Sequence, residues 1–132
     1  MGISRGGTEG PMPKTVMIVE DNELNMKLFN DLLESRGYNI IQTRNGMEAL
    51  GLARAHHPDL ILMDIQLPVM DGYEATRRIK ANPEWKSIPI IVVTSYALSG
   101  DAEKARAAGC DDYVTKPYSP RQLLAKIREC LK

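Results

Sequence analysis

The chain has 132 residues, the size of one domain. Seventeen Lys+Arg balance seventeen Asp+Glu, and with one Trp and one Phe this leaves no basic, aromatic footprint for nucleic acid or an anionic membrane surface. The 43% apolar fraction supports a buried core and excludes disorder for most of the chain, while no apolar run is long enough for a transmembrane helix and no secretory h-region is present.

Residues 1–13 carry four glycines and two prolines without periodicity. They read as a flexible leader or a cloning remnant, leaving residues 14–132 as the folded domain. Val16–Val19 predicts a first strand ending in Glu20-Asp21. Leu24, Leu28, Leu32 and Leu33 then make one helical stripe that stops at Gly37. Ile40–Ile41 predicts a short second strand. Asn45 with Glu48 has the spacing in which a cap side chain satisfies an orphan N–H, so a second helix starts there. Leu60–Met63 predicts a third strand ending in Asp64, and Asp71 with Glu74 caps a third helix behind a turn-rich loop at Pro68–Gly72. Ile88–Val93 predicts a fourth strand running into Thr94. A fourth helix is expected from near Ser99, with Asp101 and Glu103 in its first turn, where the macrodipole favours acids. Tyr113–Val114 leads into Lys116-Pro117. Ser119 with Gln122 caps the last helix, with Pro120 at its first position. Near-continuous strands between helices argue for a (βα)5 fold, an α/β sheet of parallel strands covered on both faces.

In an open parallel sheet, ligands bind beyond the carboxyl ends of the strands. Glu20-Asp21, Asp64, Thr94 and Lys116 would converge there. Three carboxylates at close range repel unless a cation intervenes, and oxygen ligands without His or Cys suit a hard ion, most plausibly Mg2+. Lys116 can pair with an anionic group on Asp64, and Thr94 can donate a hydroxyl to it. These are the parts needed to accept and hold a phosphoryl group.

The runs VMIVEDNELNMKLF, LILMDIQLPVMDG, IIVVTSYA and GCDDYVTKP resemble the receiver domains of two-component response regulators, the CheY-like family. The first run, and with it the N-terminal half, is most similar to stand-alone DivK-type receivers of alphaproteobacteria. The resemblance implies a doubly wound, flavodoxin-like, five-stranded sheet in the order 2-1-3-4-5. It implies that Asp64 is the phosphoacceptor, that Asp21 and Asp64 ligate Mg2+ directly, that Glu20 acts through a water, and that the backbone carbonyl of Gln66 completes the set. It further implies that Lys116 contacts the phosphoryl group and precedes a cis Pro117. Thr94 and the Ser95 N–H would bond its oxygens, and Tyr113 would swing inward as Thr94 moves. The donor would be a sensor histidine kinase or a histidine phosphotransfer protein. The output would pass to a downstream protein target from a cytoplasmic monomer or dimer. Such a chain is no enzyme beyond its own phosphorylation and dephosphorylation.

Other readings compete. The same domain could be excised from a hybrid histidine kinase or a multidomain regulator. An aspartyl phosphohydrolase needs a second acid two residues after its nucleophile, where this chain has Gln66. A flavin-type phosphate loop needs Gly, Ser or Thr after the first strand, where it has two acids. Adjacent His56 and His57 cannot chelate together from one helix. Cys110 and Cys130 show no C-x-x-C or zinc spacing and read as reduced thiols. Asp111 and Asp112 read as loop solvators, and Arg121, Lys126, Arg128 and Lys132 as the solvated face of the last helix.

Overall fold

The computed structural model describes residues 13–94 and 101–131, so the expectations placed on Ser95 and Ser99 lie outside the described residues. Strands and helices alternate as β1 (Thr15–Val19), α1 (Glu23–Glu34), β2 (Asn39–Thr43), α2 (Gly46–His56), β3 (Leu60–Asp64), α3 (Gly72–Ala81), β4 (Ile90–Thr94), α4 (Asp101–Ala108), β5 (Asp112–Thr115) and α5 (Pro120–Cys130). Every strand pair is parallel, and the spatial order is β2-β1-β3-β4-β5. The reversal of order falls between β1 and β3, where a doubly wound sheet opens its binding crevice.

Period-2 alternation divides the strands between two layers. Val16, Ile18, Leu60, Leu62, Ile91 and Val93 face α1 and α5, packing with Met26, Phe29, Leu33, Leu123, Leu124 and Ile127. Met17, Val19, Ile61, Met63, Ile90 and Val92 face the other three helices, packing with Ala49, Ala53, Ala75, Ile79 and Ala105. Small residues on that side let α2, α3 and α4 crowd onto one face of the sheet.

The cap motifs close as their spacing requires. Glu48 N–H donates to Asn45 Oδ1 at 2.7 Å, Glu74 N–H to Asp71 Oδ1 at 2.9 Å, and Gln122 N–H to Ser119 Oγ at 3.4 Å. A fourth cap, Asn22 accepting from Asn25 N–H at 2.9 Å, carries no Glu or Gln three residues on, so no capping-box signature announces it. The fourth strand begins at Ile90, two residues later than the apolar run, because Pro89 has no N–H to give a ladder.

One helix face differs from its sequence reading. α1 buries Met26, Phe29 and Leu33, while Leu24 is 65% and Leu28 52% exposed. The helix carries more apolar residues than one face can bury, and the bulkier Phe29 takes the core. It stacks on Tyr118 at 5.3 Å between ring centroids. The leucine row is left as an apolar strip beside the buried face. Asp111 and Asp112 are also more than solvators. Asp111 Oδ2 accepts from Ile90 N–H at 2.8 Å and pairs with Lys80 Nζ at 2.7 Å, and Asp112 Oδ1 pairs with Lys126 Nζ at 3.1 Å. Lys126 therefore ties α5 to β5 instead of standing in solvent.

Gly51 lies within α2, exposed, with nothing within 4 Å of where a Cβ would sit. Gly51→Ala should therefore stabilise the protein by roughly 0.5–1 kcal/mol through helix entropy alone, read as a higher urea midpoint at unchanged slope.

Candidate functional site

β1 ends at Val19, and Glu20 continues its line: the Glu20 N–H donates to the Thr43 carbonyl of β2 at 3.0 Å. The side chain turns into the crevice and is only 1% exposed. Its Oε2 accepts from Asn22 N–H at 3.0 Å. Its Oε1 is buried without a hydrogen-bond partner, and the nearest cation, Lys116 Nζ, stands 3.9 Å away.

Asp64 closes β3 and is also buried. Its Oδ1 accepts from Gln66 N–H at 3.1 Å, which folds the chain back over the strand end, and its Oδ2 lies 3.4 Å from Lys116 Nζ. Lys116 reaches the crevice because its N–H donates to the Thr94 carbonyl at 2.7 Å, continuing the β4–β5 ladder by one residue. The Lys116–Pro117 peptide is cis. One ammonium thus faces two buried carboxylates.

That imbalance is visible in protonation. Desolvation raises the Glu20 carboxyl from its ordinary 4.5 to about 7, and the Asp64 carboxyl beside it pushes the same way. The Asn22 N–H and Lys116 oppose the rise without cancelling it.

The other expected residues fall around this centre. Thr94 ends β4 and is buried, opposite Thr115 in register and next to the end of β3. Tyr113 is half-buried on β5, packed against the second core layer, with the Arg106 guanidinium of α4 at 5.5 Å from its ring centroid. Asp21 is exposed at the rim. Among the described residues no three His, Cys, Asp or Glu side chains form a metal cluster. His56 and His57 are exposed on the last turn and cap of α2, away from the strand ends. Burial pushes the Cys110 thiol up to about 11, so it stays protonated.

The crevice suits a hard cation on its own chemistry. Glu20 Oε1 is an oxygen donor held out of water with nothing to bind, and Asp64 adds a second carboxylate to an all-oxygen set.

Beside the crevice, a groove of about 520 Å³ runs along α1, lined by Asn25, Leu28, Leu32, Lys116, Pro117, Tyr118 and Pro120. Lys116 belongs to both the groove and the crevice. The exposed Leu24 and Leu28 extend this apolar surface along α1.

Residues 16–128 match the sequence profile of the response regulator receiver domain. The chain is 57% identical over 120 residues to the polar-differentiation response regulator DivK of Brucella anthropi, covering 91% of this chain and 98% of that protein. The similarity therefore extends well past the N-terminal half. Among solved structures, the receiver domain of sensor histidine kinase PA1611 from Pseudomonas aeruginosa PAO1 superposes with a TM-score of 0.85 at 37% identity, over 90% of this chain and 98% of that one. It holds a magnesium ion coordinated in its active-site cleft. The Mn(2+)-bound form of response regulator Rcp1 aligns with a TM-score of 0.74 at 28% identity, over 89% of this chain and 91% of that one.

The buried charge has a measurable cost. Glu20 gives up its proton near 4.5 in the unfolded chain and near 7 in the fold, so the folded chain holds the extra proton between these values. Stability from this group falls as pH rises through that window, by up to about 3 kcal/mol. In metal-free urea titrations, the stability gained by Glu20→Gln over the parent chain should grow between about pH 5 and about pH 8. An equal gain at both pH values would contradict the assignment.

Proposed function

Because the chain belongs to the response regulator receiver domain family, we propose that it is a phosphorylation switch whose phosphoacceptor is Asp64. The observation that carries this reading is the position of Asp64. It is buried at the strand ends, with Lys116 Nζ at 3.4 Å on one side and an unpartnered Glu20 oxygen in the same crevice. An Asp64 carboxylate oxygen attacks the phosphorus of a phosphohistidine, the P–N bond breaks, and the imidazole leaves with the bonding pair. Water later attacks the phosphorus of the acyl phosphate, the bond from phosphorus to the Asp64 oxygen breaks, and inorganic phosphate leaves as the carboxylate is regenerated. Such transfer asks mainly for positioning and for charge to meet charge. Lys116 supplies the ammonium for a phosphoryl oxygen, and Thr94 and the Ser95 N–H supply hydrogen-bond donors. Glu20, Asp21, Asp64 and the Gln66 carbonyl would hold Mg2+, which when bound neutralises charge on the phosphoryl oxygens.

The donor is a sensor histidine kinase or histidine phosphotransfer protein. The apolar strip of α1 supports a helical partner: Leu24 and Leu28 are exposed beside a groove that Lys116 shares with the crevice. When Thr94 is drawn toward the phosphoryl group, Tyr113 moves inward and loosens its hold on Arg106. Through that contact α4 and β5 shift, by a coupling of the ordinary 1–3 kcal/mol scale, about what two-state switches use. The readout is a protein target in the cytoplasm. A stand-alone regulator is favoured over a domain of a hybrid kinase because the DivK relative is matched over 98% of its own length. Its part in polar differentiation indicates where to look for the target.

Intact-protein mass after incubation with acetyl phosphate should rise by one phosphoryl group only when Mg2+ is present. The adduct should vanish in alkali and be absent from Asp64→Asn. A Mg2+-dependent adduct on Asp64→Asn would remove Asp64 from this role.

A further inference from the structure

The loop between β3 and α3 follows directly on Asp64 and carries Gln66, and its backbone is strained. Val69 has φ 69°, a β-branched residue in the left-handed region. The Met70 N–H donates to the Pro68 carbonyl at 2.7 Å, closing a γ-turn on Val69 of the strained, positive-φ kind. The Val69 side chain is 79% exposed, so its own packing does not hold the turn.

The hold comes from the flanks. Pro68 restricts the backbone on one side. On the other, Met70 is 8% exposed and packed in the second core layer. Its carbonyl lies against the bare α-carbon of Gly46, the first residue of α2: a Cβ there would stand 2.3 Å from Met70 O and 3.2 Å from Met70 Cβ. The loop's far end is fitted as closely. A Cβ on Gly72 would stand 2.2 Å from the Asp64 carbonyl oxygen, and the Gly72 N–H donates to the Ile65 carbonyl at 2.9 Å. Two glycines on two helices therefore clamp the loop, and only Gly72 is adjacent to the site in sequence. Strain of this kind persists only where its surroundings over-determine it.

We infer that Gly46, on a helix that contributes no group to the crevice, is a positioning residue for the phosphoacceptor loop. Its missing side chain is the seat for Met70, and that seat keeps the Val69 turn closed and the Asp64–Gln66 segment in register with Glu20. The inference rests on the receiver reading above. A Cβ at position 46 displaces Met70 O, and the displacement passes along the loop to Gln66 and Asp64.

The test is Mg2+ affinity by calorimetry, with the acetyl phosphate adduct followed by mass, on the parent chain, Gly46→Ala, Gly51→Ala and the double variant Gly46→Ala/Val69→Gly. Gly46→Ala should weaken Mg2+ binding about tenfold or more, as loss of an outer support to a metal site does, and slow adduct formation in step. Gly51→Ala makes the same change in the same helix and should bind as the parent does. In the double variant, glycine at 69 lets the loop retreat without strain. Its urea midpoint should recover toward the parent while its Mg2+ affinity stays low, a split that a merely structural role for Gly46 would not produce. Parent-like Mg2+ affinity in folded Gly46→Ala, or in the double variant if the single one does not fold, overturns the inference. A parent chain that neither binds Mg2+ nor takes a phosphoryl group overturns instead the reading on which it rests.

Discussion

Lys116 stands between two buried carboxylates and can neutralise only one of them. Its ammonium is 3.4 Å from Asp64 and 3.9 Å from Glu20, and the second distance is too long for a hydrogen bond. Desolvation disfavours the remaining negative charge, which is why Glu20 keeps its proton to about 7. A packed protein ordinarily avoids such an arrangement, because an unpaired buried oxygen costs free energy that the fold does not recover. Here the cost sits at the C-terminal edge of the sheet, where the strand order reverses and the chain has three acidic residues to offer. A cation placed against the unpartnered Glu20 oxygen would relieve that cost.

The rest of the molecule places that frustrated charge. Parallel pairing puts the ends of β1, β3, β4 and β5 on one edge; Asp64 and Thr94 close β3 and β4, and the residues after β1 and β5 get there by extending a ladder by one hydrogen bond. Glu20 N–H to Thr43 and Lys116 N–H to Thr94 are the two examples. The core packs against both faces of those strands. Beyond them, the β3–α3 loop is bent into a turn that Val69 would not choose.

Much of this was legible in the residues. The near-continuous apolar runs gave the parallel sheet because strands covered on both faces have no polar side to show. Three helix starts followed from caps whose partner lies three residues on. The acids, Thr94 and Lys116 could be assigned to one edge because each directly follows a strand. What could not be read depends on packing. The leucines of α1 look like its core stripe, but which of several apolar residues is buried depends on helix rotation against the sheet, and Phe29 with Met26 wins over Leu24 and Leu28. The contact between Gly46 and Met70 joins residues with no shared motif, and nothing but the fold brings them together.

The crevice holds one more carboxylate than its lysine can satisfy. Titration of the Glu20 side-chain carboxyl by carbon-detected NMR, with and without Mg2+, measures that charge directly. A midpoint near 7 without the metal, falling to or below the ordinary 4.5 when Mg2+ is saturating, is what the geometry requires. A carboxyl that already titrates at 4.5 in the metal-free protein, and does not move when Mg2+ is added, would contradict it.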